Sequence, residues 1–243
     1  MNTVLTQELQ RFNGLIKIVR SSLKDLKLAM LGKIVMNSSL EAASKSLFNG
    51  KVPDLWMSMS YPSLKPLGSY VADLKARLAF FQKWIDVGNP TVFWISGFFF
   101  TQSFLTGVLQ NFARRYTIPI DEIVYDFLFL KEKPDLKPED GAYVDGLFLE
   151  GCRWNNDSMS LDESEPKILF TKCPPMHLKP SHSSKLINYK NYKCPVYKTS
   201  ARRGVLSTTG HSTNFVMFIR LPTDQEQSHW IKRGVALLTQ LDD

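Results

Sequence analysis

Apolar residues in the first half of the sequence recur at the spacing of amphipathic α-helices. On the first predicted helix they recur at alternating intervals of three and four, and they form one stripe: Leu5, Leu9, Phe12, Ile16, Val19, Leu23, Leu26 and Met30. A stripe of this length also fits a coiled coil, but we favour a long helix that packs on its own domain or on a neighbour. Further helices are predicted at 33–47, 66–86 and 101–116, and Asn49-Gly50 gives a strong stop signal. On the third helix, Asp73, Lys75, Arg77 and Lys83 lie off the stripe and are expected to be solvated.

The pattern changes after Pro119, where short strand-like runs replace the helical stripes. The runs cover residues 123–130, 143–150, 168–170, 193–197 and 214–221, and a further run at 235–238 fits either a strand or a helix. No helix-length periodic segment separates them, so parallel winding is not expected. The sequence therefore predicts an α+β fold, in which a helical subdomain at 1–118 precedes a small antiparallel β-barrel-like subdomain at 119–243. No low-complexity linker lies between the two, so we expect them to pack together.

A charge-free stretch at 87–113 is long enough to span a bilayer. It contains Asn89, Pro90, Gln102 and Gln110, so we interpret it as a loop followed by a buried helix and expect no membrane partner. Its aromatic residues lie away from Lys and Arg, which favours core packing over base stacking.

Charge is divided unequally between the two halves. Residues 1–118 hold 14 Lys and Arg against 6 Asp and Glu, whereas the remaining residues hold 16 against 17. A basic helical surface can meet nucleic acid, anionic lipid or an acidic protein, or it can simply be solvated. No base-reading motif accompanies the charge, so nucleic acid is not an expected partner. The three cysteines are widely spaced, which favours a reducing compartment over a disulfide framework.

Motifs for nucleotide and metal chemistry do not stand out. The pairs Gly32-Lys33 and Gly50-Lys51 are not followed by Ser or Thr, so neither belongs to a phosphate loop. Cys173, His177 and His182, with Cys194 further on, lack the paired spacing of zinc ligands, and we interpret them as part of an ordinary polar loop.

Nucleophilic catalysis is not indicated either. His211 beside Ser212 does not establish a triad, and His229 is interpreted as a structural hydrogen-bonding residue. The basic stretch 198–204 fits a solvated hairpin tip, although it could hold a phosphate or an acidic partner. We therefore predict no catalytic, cofactor-binding or metal-binding residues.

Six segments, in order along the sequence, resemble the C-terminal domain of dynein heavy chains. They are 60–67 (SYPSLKPL), 93–102 (FWISGFFFTQ), 146–154 (GLFLEGCRW), 194–199 (CPVYKT), 212–216 (STNFV) and 229–238 (HWIKRGVALL). Together the six segments extend over nearly the whole sequence. Their residues are closer to those of axonemal (ciliary) heavy chains than to those of the cytoplasmic heavy chain. The resemblance implies a helical subdomain followed by a small β-barrel.

The resemblance also implies a function. The intact heavy chain would have a ring of AAA+ modules that hydrolyses ATP, with this domain lying across one face and regulating the ring. ATP, magnesium and the microtubule-binding stalk would belong to the rest of the heavy chain, and this domain would have no cofactor of its own. Expected partners are the ring modules and other dynein subunits, and the expected location is the cytoplasm, the cytoskeleton and the ciliary axoneme.

The ring contact is expected on the helical subdomain. Its basic excess and the uncovered apolar stripe of the first helix point there, and the candidate contact residues are Lys17, Lys24 and Lys27. An alternative function is an interaction module that recruits a partner protein to cilia.

Overall fold

A computed structural model describes residues 1–185, 189–202, 204 and 213–243. These residues form six α-helices: α1 (Asn2–Met30), α2 (Ser38–Phe48), α3 (Asp54–Met57), α4 (Leu67–Val87), α5 (Thr101–Tyr116) and α6 (Gln227–Lys232). They also form eleven strands: β1 (Val92–Trp94), β2 (Ile123–Phe129), β3 (Ala142–Asp145), β4 (Phe148–Glu150), β5 (Arg153–Asn155), β6 (Ser160–Asp162), β7 (Phe170–Lys172), β8 (Met176–His182), β9 (Asn191–Tyr197), β10 (Phe215–Pro222) and β11 (Ala236–Leu238).

The long helices follow the predicted apolar spacing closely. Helices α1, α4 and α5 match their predicted bounds to within a few residues. Helix α2 begins at Ser38 rather than at 33, because Asn37 caps it by accepting a 2.9 Å hydrogen bond from the Leu40 amide. In the charge-free stretch, the segment before α5 is not only a loop as predicted, since it contains β1 and a 3₁₀ turn at Ile95–Gly97. No helix among the described residues is long and apolar enough to cross a bilayer.

The strands form two main sheets and one hairpin. The four-stranded sheet has the order β1-β3-β8-β2, the five-stranded sheet has the order β10-β9-β11-β4-β7, and β5 pairs with β6. The α+β class is confirmed. The antiparallel barrel is not confirmed, because the described strands do not close, β1 runs parallel to β3, and β11 runs parallel to β9.

One hydrophobic core extends through both halves of the sequence. It includes Phe12 and Phe104 from the helices and Val144 and Leu237 from the sheets, each at most 1% exposed. Strand β1 also comes from the first half of the sequence and pairs with β3 in the second. The halves therefore pack together as expected, while the domain boundary near 118 stays a prediction.

Candidate interaction surface

Helix α1 presents an exposed basic face. Lys17, Lys24 and Lys27 are all exposed, and Arg20 lies between them on the same side of the helix. Lys17, Arg20 and Lys24 line a shallow surface depression together with Ile16. No ion pair between described residues engages these four cations. Their charge therefore faces solvent and is available to an acidic surface.

The opposite face of α1 is packed against the rest of the domain. Phe12, Leu15 and Leu26 are buried there, which confirms the prediction of a long helix on its own domain. The expectation that the apolar stripe of α1 is uncovered is wrong for most of the helix. Only Leu23 and Met30 of the eight stripe residues are exposed, because α2, α3, α4 and α5 pack against the remainder.

A buried carboxylate joins α1 to the start of α5. The Glu8 side chain is fully buried, and it accepts hydrogen bonds from the amides of Phe99 (2.5 Å) and Phe100 (3.0 Å). These amides lie at the N-terminal end of α5, where a negative charge is favourable. Burial raises the pKa of Glu8 above its ordinary value, against the opposing effects of the two amides and Arg11. The sequence pattern did not identify Glu8 as a buried residue. The one signal in the sequence is the position of this charged residue between the stripe residues Leu5 and Leu9.

A second buried charge lies on α4, where it contacts Tyr61 and the 98–100 segment. Arg77 is 2% exposed, donates from Nε to Asp73 Oδ2 at 2.7 Å, and lies 3.9 Å from the Tyr61 ring centre. Its guanidinium also donates to the Phe98 carbonyl at 3.3 Å. The expectation that Asp73 and Arg77 are solvated is therefore wrong, because Tyr61 and the 98–100 segment cover this side of α4. Lys75 on the same helix is exposed, as expected.

The candidate zinc ligands do not come together. His177 and His182 lie on β8 rather than in a loop, and their odd separation directs them to opposite faces of the sheet. His177 Nε2 contacts the Asp140 carbonyl at 2.7 Å, and His182 Nε2 contacts Glu122 at 3.0 Å. No group of three or more His, Cys, Asp or Glu within the described ranges could hold a metal ion.

The three cysteine side chains are free and buried. Burial raises the pKa of the Cys152 thiol to about 12, and it raises the pKa of Cys173 and Cys194 as well. Their thiolate fraction at neutral pH is therefore very small, which makes them poor nucleophiles.

The remaining candidates from the sequence have structural partners or lie outside the described residues. His229 Nε2 contacts Glu163 at 2.6 Å, and Arg233 donates to the same carboxylate at 2.8 Å, which agrees with a structural role for His229. In the basic stretch 198–204, Arg202 pairs with Glu150. The pair His211-Ser212 and residue Arg203 lie outside the described residues.

A family model for the C-terminal domain of the dynein heavy chain matches residues 1–239. The protein belongs to this family. Over its full length it is 60% identical to dynein axonemal heavy chain 3 of Mus musculus, 57% identical to dynein axonemal heavy chain 12 of Homo sapiens and 52% identical to dynein axonemal heavy chain 1 of Homo sapiens. It spans only 6%, 8% and 6% of the length of these relatives.

Two of the dynein-like segments meet at one tryptophan in the structure. Trp94 belongs to the segment 93–102, and Gly146 opens the segment 146–154. Gly146 has φ 105°, and a Cβ at this position would lie 2.4 Å from Trp94 Cδ1. Glycine is therefore required where β3 leaves the first sheet and β4 enters the second. Of the segment 212–216, Ser212 lies outside the described residues.

Proposed function

We propose that this protein is the C-terminal accessory domain of an axonemal dynein heavy chain, which packs on the AAA+ ring and modulates ATP-driven movement along microtubules. The family match and the identities to axonemal heavy chains support this proposal. ATP and magnesium would be bound by the rest of the heavy chain. The motor would work in the cytoskeleton of the ciliary axoneme.

We place the contact with the ring on α1 because the basic face of this helix is exposed. Lys17, Lys24 and Lys27 stand on a helix whose other face is buried, so their positions are fixed relative to the whole domain. A contact to an acidic surface on the ring would contribute free energy that depends on the ring's conformation. The domain shifts the equilibrium between conformations by that difference and no more.

Charge reversal in the intact motor tests the proposal. We expect the triple substitution Lys17→Glu, Lys24→Glu and Lys27→Glu to change ATPase rate, force or microtubule gliding velocity, because it replaces attraction to the ring with repulsion. The effect should weaken as the salt concentration rises, since exposed charges are screened.

A matched control separates this contact from a general effect of charge. Lys75, Lys83 and Lys179 are also exposed, and their replacement by glutamate changes the net charge by the same amount. We expect the control motor to behave like the wild type. If the α1 variant and the wild type have the same ATPase rate, force and velocity, the placement of the contact on α1 is wrong.

A further inference from the structure

The connection between α1 and α2 exposes an unusual density of apolar side chains. We name residues 30–36 (MLGKIVM) the apolar loop. Its exposed side chains are Met30 (72%), Leu31 (60%), Ile34 (40%), Val35 (86%) and Met36 (41%). Single exposed apolar residues are ordinary on protein surfaces, but a contiguous group of five within seven residues indicates an interaction site.

Hydrogen bonds fix the backbone at both ends of the apolar loop. The Gly32 amide donates to the Ala29 carbonyl at 3.0 Å, and the Lys33 amide donates to the Leu28 carbonyl at 2.9 Å. With Gly32 at φ 68°, these two bonds form a Schellman motif, which ends α1. At the other end, Asn37 caps α2. Because both ends of the loop are fixed, ordering it on binding costs less conformational entropy than ordering a free segment of the same length.

The sequence of the apolar loop and its immediate flanks carries only positive charge. Between Asp25 and Glu41 the sequence contains no acidic residue, whereas Lys27 and Lys33 flank and interrupt the apolar residues. The loop therefore fits an apolar groove with an acidic rim, because the apolar side chains gain by leaving water and the lysines gain from opposite charge.

The geometry points to a partner within the same heavy chain. The apolar loop inserts into an apolar groove with an acidic rim, and this groove lies on the part of the heavy chain outside these 243 residues. This inference rests on the proposed function. The 243 residues span 6–8% of the length of relatives such as axonemal heavy chains 3 and 12, so most of the heavy chain is available as the occupant. The loop also directly follows the helix that carries the basic face.

Methionine oxidation in the intact heavy chain tests the insertion. In this structure Met30 is more exposed than Met59, at 72% against 46%, so undocked Met30 would react with peroxide faster. Insertion of the loop reverses the order, and we expect Met30 to be oxidised about 10-fold more slowly than Met59, since oxidation follows exposure. Peptide mass spectrometry after a timed peroxide pulse measures both rates.

Two variants at similarly exposed positions make the test specific. Val35→Asp places a charge in the groove, so it should restore fast oxidation of Met30 without changing Met59. Leu136→Asp, at a residue 82% exposed in another loop, should leave Met30 protected. The proposal is overturned if wild-type Met30 reacts faster than Met59, or if both variants restore its oxidation equally.

Photo-crosslinking from position 35 identifies the occupant. We expect adducts on the same heavy chain, and adducts only on another polypeptide or on lipid overturn the proposal.

The two proposals can fail separately. A reactive Met30 together with altered motility of the lysine variant rejects the inserted loop alone. A protected Met30 together with unaltered motility of the lysine variant rejects only the contact through the basic face.

Discussion

Glu8 joins two helices that are distant in sequence through one buried carboxylate. We expect Glu8→Ala to lower the free energy of unfolding by about 3 kcal/mol, because the amides of Phe99 and Phe100 lose their acceptor. Urea unfolding of the 243-residue protein measures the change. Gln10, which is exposed on the same helix, provides the control, and Gln10→Ala should stay within about 0.5 kcal/mol of the wild type. Equal losses for the two variants would contradict the capping role of Glu8.

Glu8 also predicts a dependence on pH. Its pKa is raised in the folded state, so the folded protein keeps a proton on Glu8 at a pH where the unfolded protein has released it. The contribution of Glu8 to stability is therefore fully present below its unfolded pKa, and it is lost as the pH rises through the folded pKa. The stability of the wild type relative to Glu8→Gln should fall between acidic and neutral pH. The same difference at both pH values would argue against a raised pKa.

Arg77 makes contacts that lysine cannot reproduce. We expect Arg77→Lys to cost about 2 kcal/mol in the free energy of unfolding, because lysine lacks the planar group that pairs with Asp73 and covers Tyr61. The same substitution at exposed Arg20 should change stability by less than about 0.5 kcal/mol. Denaturant unfolding of both variants makes the comparison, and a neutral Arg77→Lys would show that charge alone is sufficient.

At the scale of elements, the passage from β3 to β4 depends on Gly146. We expect Gly146→Ala to destabilise the protein by about 3 kcal/mol, because the residue has positive φ and its new Cβ would overlap Trp94. Gly14 lies inside α1, and a Cβ added there would meet nothing within 4 Å, so Gly14→Ala should stabilise the protein by up to about 1 kcal/mol. Thermal unfolding compares the two variants, and a loss at Gly14 as large as that at Gly146 would refute the steric explanation.

The helices could be predicted from the sequence because their burial depends on local spacing. The bounds of α5 match the predicted 101–116, since Phe104, Leu105 and Val108 recur at helical intervals. Strand β8 was missed because His177 and Lys179 interrupt its apolar residues. The alternation of buried Met176, Leu178 and Pro180 was the available signal. Short strands such as β1 form through pairing with residues distant in sequence, which local patterns do not record.

The candidate surface could be predicted only in part. The exposure of Lys17, Lys24 and Lys27 follows from the helical spacing of α1, because they lie away from its apolar stripe. The roles of Glu8 and Arg77 could not be predicted in the same way. Both are charged residues that become buried because partners about 90 and 20 residues further along the sequence satisfy them.

At the scale of the whole molecule, the shared core predicts cooperative unfolding. Phe93 packs against Phe104 with ring centres 4.9 Å apart, while the strand that holds Phe93 pairs with β3. Unfolding the helical half would therefore expose the core of the sheets. We expect far-UV circular dichroism of the helices and hydrogen exchange of the β8 and β9 amides to report the same urea midpoint. Two separate midpoints would support independent subdomains divided near residue 118.

The burial of all three cysteines has a practical consequence for labelling. Native thiols that are 1% exposed or less should react very slowly with maleimide dyes, so the wild-type sequence already serves as an unreactive background. Val35→Cys would then provide the one accessible thiol of this domain. The remaining cysteines of the heavy chain would first be replaced. An environment-sensitive fluorophore at position 35 would then report in real time whether the apolar loop leaves the proposed groove during the motor's cycle.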